Sequence, residues 1–84
     1  MIEVFRTNVN SPEDAGSILH AVRAVYPRYV VNFDLQDADK ILRVATSADD
    51  VDISGIVNIV QQHGYHAEVL LDELYPLPDG YVGG

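Results

Sequence analysis

The spacing of apolar positions changes along the chain, and each change marks a new element. Residues 1–9, MIEVFRTNV, alternate and are rich in β-branched and aromatic types, which predicts a strand. From there Ala15, Ile18, Leu19, Val22, Val25 and Tyr26 recur at helical spacing and form one apolar stripe. Ahead of that stripe Ser11 stands where an N-cap belongs and Pro12 at the first helical position. Asp14 lies three residues after the cap, as in a capping box, and with Glu13 complements the helix dipole. Pro27 stops this helix. RYVVNFDLQ then predicts a second strand, with Tyr29, Val31, Phe33 and Leu35 on one face and Val30, Asn32, Asp34 and Gln36 on the other. DADK is a polar turn, and ILRVATS returns antiparallel to complete a hairpin. A second helix is expected from about Asp52, its N-cap, to His63, with Ile53, Ile56, Val57 and Val60 on its stripe and Gly64 at its C-cap. YHAEVLLDEL predicts the last strand, and YPLPDGYVGG, with its prolines and glycines, a flexible tail.

The order is βαββαβ. Such a chain packs most simply as an α+β, ferredoxin-like two-layer sandwich, with both helices on one face of an antiparallel four-stranded sheet. Residues 1–74 form that domain, 75–84 the tail, and the second sheet face is left open. With 84 residues, 48% of them hydrophobic, the chain is one folded domain rather than a disordered segment. No cysteine is present, so disulfides, thiolate metal sites and cysteine nucleophiles are excluded. Thirteen acidic residues against five basic ones give a net charge of −8, and Arg6, Arg23, Arg28, Lys40 and Arg43 are scattered rather than gathered in a stripe. Nucleic acid and anionic membrane are therefore unsuitable partners. No apolar run approaches the ~20 residues of a membrane span, and MIEVFRTNV lacks the pattern of a signal peptide. A cytoplasmic location is expected.

Two stretches carry a family likeness. VNFDLQDADKILRV resembles the hairpin of heavy-metal-associated domains, the copper-chaperone-like modules. VDISGIVNIVQQHGYHAEV is similar to their second half, including the Gly64-Tyr65 pair after the helix. The likeness runs over about residues 1–71, and EVFRTNV with NFDLQDADKILRV looks closer still to short bacterial proteins that share the fold and lack its metal motif. The resemblance implies the ferredoxin-like scaffold. In that family the ion is held by a Cys-x-x-Cys pair in the loop entering the first helix. Here that stretch is Asn8 to Asp14, without a thiol, and Met1 is the only sulfur. A soft ion such as Cu(I) needs thiolate or thioether ligands, so the activity does not transfer and no cofactor is expected.

Other chemistry is sparse. His63 and His66 flank the Gly64-Tyr65 turn and with Glu68 suggest a Zn²⁺ site, whereas His20 lies far off on the polar face of the first helix. The bland alternative is a histidine at a helix C-terminus beside a surface strand residue. Asp34, Asp37 and Asp39 cluster in the hairpin and Asp49, Asp50 and Asp52 before the second helix. They lack the twelve-residue loop, central glycine and terminal glutamate of an EF-hand. No Gly-x-Ser-x-Gly, phosphate loop or His-Glu-x-x-His occurs, and a non-enzymatic protein is expected. Acylphosphatase shares the topology, but its anion loop needs an arginine and free amides where this chain has acids and Pro12. The terminal VGG invites comparison with ubiquitin-like modifiers, whose ββαββ order differs.

What remains is the open sheet face. Alternation alone places Phe5, Val30, Ile41 and Leu70 there as an apolar patch, among Asn32, Asp34, Arg43, His66 and Glu68. Arg43 and Asp34 suggest a cross-strand pair. A one-residue slip in any strand reverses its faces. The leading expectation is a protein-interaction or self-associating module using this face. Two alternatives stay open: a metal-ion or small-ligand module using His63, His66 and carboxylates, and a regulatory domain of the amino-acid-sensing type.

Overall fold

A computed structural model describes residues 1–47 and 50–70. Strand β1 (Ile2–Thr7) leads into helix α1 (Pro12–Val25), followed by β2 (Val30–Asp34), β3 (Ile41–Ala45), helix α2 (Ile53–Gln62) and β4 (Ala67–Val69). The sheet order is β2-β3-β1-β4, every pair antiparallel, with β1 and β3 central. Read from the other edge this is 4-1-3-2, the ferredoxin-like two-layer sandwich. The last part of the expected final strand, 71–74, and the expected tail, 75–84, lie outside the described residues.

Local chemistry explains most boundaries. Ser11 caps α1 by accepting the Asp14 N–H at 3.2 Å, and Pro12 opens the helix. The capping box is not closed, because the Asp14 carboxylate instead accepts the Tyr65 hydroxyl. Asp52 caps α2 by accepting the Gly55 N–H at 3.1 Å. After α2 the chain reverses at Gly64, whose φ of +89° suits a residue without a Cβ. In the hairpin turn Asp34 and Asp37 accept the amides of Gln36 and Asp39, so these carboxylates act as turn-formers.

The core joins Phe5, Val31, Leu42 and Val44 of the sheet to Ala15, Ile18 and Val22 of α1 and Ile56, Ile59 and Val60 of α2. Two expected stripe members, Val25 and Ile53, are exposed, and Ile59 takes a buried place that the stripe had not included. The larger correction concerns β1. Phe5 pairs with Leu42, which pairs with Phe33, and Phe5 is 0% exposed, so it faces the helices rather than the open face. Alternation in IEVFRT did not separate the faces, because Ile2 and Val4 look as apolar as the set Glu3, Phe5 and Thr7 that turns inward.

Candidate functional site

With β1 set in register, the uncovered face carries Ile2, Val4 and Arg6 from β1, Val30, Asn32 and Asp34 from β2, and Ile41, Arg43 and Ala45 from β3. Glu68 of β4 belongs to the same face, opposite Arg6. Ile2 pairs with Ala45, and Ala45 with Val30, so one cross-strand row at the end of the face is wholly apolar. Ile2 and Val30 are 66% and 68% exposed, and Met1 beside them is 54% exposed. The Met1 amino group is held by the Thr46 carbonyl at 2.7 Å, and Thr46 N–H donates back to Met1 O at 2.9 Å, which fixes the row's outer end. A shallow depression of about 400 Å³ runs along it, bordered by Arg28 and Ser47.

Of the four residues expected to form the patch, Val30 is where the alternation put it and exposed. Phe5 is in the core, Ile41 is on the open face but only 5% exposed, and Leu70 is half-buried with its N–H bonded to Val4 O at 2.8 Å. Ile2 and Met1 take their place; correct phasing of β1 would have found Ile2. The expected Arg43–Asp34 pair does not form, since the register sets Arg43 against Asn32 and Asp34 against Ile41. Arg6 instead makes ion pairs, reaching Asp39 in the hairpin turn at 3.4 Å and Glu68 of β4 at 3.2 Å.

At the junction from Thr7 to Asp14, where the resembling family holds its ion, Thr7, Asn8, Ser11 and Asp14 are engaged in structural bonds. Thr7 Oγ1 donates to Lys40 O at 2.6 Å and accepts the Val9 N–H at 3.1 Å. Asn8 Oδ1 accepts the His66 N–H at 2.7 Å, tying the loop to β4. Asp14 holds Tyr65, whose own ionisation is pushed up by that bond. A cleft of about 300 Å³ opens beside this junction, lined by Arg6, Asn8, Gln61, His66 and Glu68.

The histidines do not converge with carboxylates. His63 Nδ1–H donates to Ile59 O at 2.9 Å, an internal bond at the end of α2, while Glu68 is taken by Arg6. Among the described residues no group of three His, Cys, Asp or Glu side chains is placed to hold a metal ion. Of the acidic cluster, Asp52 is committed elsewhere. Its carboxylate accepts the Tyr26 hydroxyl at 2.7 Å and the Gly55 amide, and its own N–H donates to the Tyr29 hydroxyl at 2.8 Å. The Tyr26 and Tyr29 rings stack at 4.6 Å, almost parallel at 5°. The hydrogen bond to Asp52, then burial, push Tyr26 from the ordinary 10.0 up to about 12. Asp52 is held below the usual carboxylate range, first by Tyr26 and then by the Gly55 amide. This clamp joins the end of α1 to the start of α2, and sequence reading missed it because its partners lie 26 residues apart.

Among the described residues no helix is long and apolar enough to cross a membrane. Compared with family models, with curated proteins and with solved structures, the chain matches none of them.

Proposed function

We propose that this protein is a non-enzymatic interaction module that binds a protein partner through its uncovered sheet face. The observation that supports the reading is the row Ile2–Ala45–Val30 with Met1, an apolar strip left exposed by the register at one end of a face that elsewhere carries Arg6, Asp34, Arg43 and Glu68. Apolar surface concentrated in one place and rimmed by arginines is the composition of a contact surface. Enzymatic chemistry has little support, because the groups whose ionisation is shifted, Tyr26, Asp52 and Tyr65, are taken up by structural hydrogen bonds. The module is a cysteine-less scaffold of heavy-metal-associated type acting in the cytoplasm, with neither nucleic acid nor membrane as a partner.

The test is site-specific photo-crosslinking in cells, with the reactive group placed at Val30 or, as a control, at exposed Asn58 on α2. A discrete adduct from Val30, absent from Asn58 and lost when Ile2→Ser is added, is the expected result. Equal adducts from both positions, or none from Val30, would overturn the reading.

A further inference from the structure

We infer that a second copy of this chain docks edge to edge along β2, joining the two sheets into one of eight strands. The sheet order leaves β2 with one unpaired side. Its segment VVNFD contains no proline and no lysine, the usual devices that keep an edge from pairing. The Val31 carbonyl points to that free side, where Arg23 Nη2 donates to it at 3.5 Å. Groups on alternate residues of an antiparallel strand share a side, so the Phe33 backbone points the same way. The Arg23 contact is at the long limit of a hydrogen bond and therefore yields easily to a strand.

Charge fixes the alignment. A two-fold axis through Val31 sets Val31 against its own copy and Val30 against Asn32, and brings Arg28, in the turn two residues before β2, toward Asp34 of the second copy. Arg28 has no ion pair among the described residues, and Asp34 accepts only the Gln36 amide, so both charges are free to meet. The arrangement makes that pair twice. It also brings the two Val30 side chains into diagonal cross-strand positions, about 7–8 Å apart, so that the apolar strips of the two copies adjoin. For a chain of charge −8, an edge with one arginine for one aspartate is a place where like-charge repulsion is locally balanced.

This edge is a different surface from the sheet face, and the two readings fail separately. Sedimentation velocity over a dilution series, with near-ultraviolet circular dichroism to verify folding, tests the edge. The native chain is expected to dimerise, Arg28→Asp or Asp34→Arg to weaken the dimer about tenfold, and the double reversal to restore it. Arg23→Ala, which clears the edge, should tighten it. Ile2→Ser should leave it unchanged. A native chain that stays monomeric, a dimer indifferent to single reversals, or a double reversal without rescue would overturn the inference. So would a dimer lost on Ile2→Ser alone.

Discussion

Phe5 decides whether β1 is phased as described, and so whether Ile2 is on the uncovered face. Its side chain is fully enclosed between its register partners Leu42 and Val69, in the cluster shared with both helices. Phe5→Ala removes the largest wholly buried side chain among the described residues and leaves a cavity that rigid neighbours fill only in part. Such truncations cost about 3–5 kcal/mol. A domain of this length has about 4–13 kcal/mol of total stability at roughly 0.05–0.15 kcal/mol per residue, so the variant is close to unfolding. With a urea slope of about 1 kcal/mol per molar, the midpoint should fall by about 3 M or more. The companion variant Val30→Ala, on the exposed face, should move it by no more than about 0.5 kcal/mol equivalent. Equilibrium urea unfolding followed by far-ultraviolet circular dichroism measures both. Equal small shifts, or a larger loss for Val30→Ala, would refute the assignment of faces.

Other outcomes follow from the clamp, the cap and the histidines. A Cβ at Gly55 would collide with the Tyr26 hydroxyl that bonds Asp52, so Gly55→Ala should lower the melting temperature despite alanine's better helix propensity. Below pH 10 Tyr26 keeps its proton whether folded or unfolded; between about 10 and about 12 only the folded chain keeps it, so stability falls as pH rises through that window. Melting temperatures recorded there should fall less steeply in Tyr26→Phe. Ser11→Ala removes the α1 cap and should cost about 1 kcal/mol by urea unfolding. Zn²⁺ titration should leave the ring signals of His63 and His66 in place, because Glu68 is held by Arg6 and His63 by the helix end.

Element order and fold were legible because each helix carries its own punctuation: Ser11-Pro12 and Asp52 at the starts, Gly64 at one end. The faces of β2 and β3 were legible too, since Val31 against Asn32 and Leu42 against Arg43 are unambiguous contrasts. β1 was not, because both of its faces contain large apolar residues and only pairing with β3 distinguishes them. The exposed row at Ile2 depended on that pairing and so escaped detection. The Tyr26–Tyr29–Asp52 clamp escaped for another reason: it is a tertiary contact between helix ends, and no periodicity encodes it. The loop from Asn8 to Asp14 was legible only as lacking thiols; its bonds to Lys40 and His66 come from strands far away in sequence.

The central structural claim, that the β2 edge rather than the helices joins two copies of the chain, is tested most directly by amide correlation spectra recorded through a dilution series. The account predicts concentration-dependent shifts at Val31 and Phe33 and at the adjoining Val30, with Ile2 on β1 and Asn58 and its neighbours on α2 unmoved. Shifts concentrated on α2, or spectra that do not change with concentration, would contradict it.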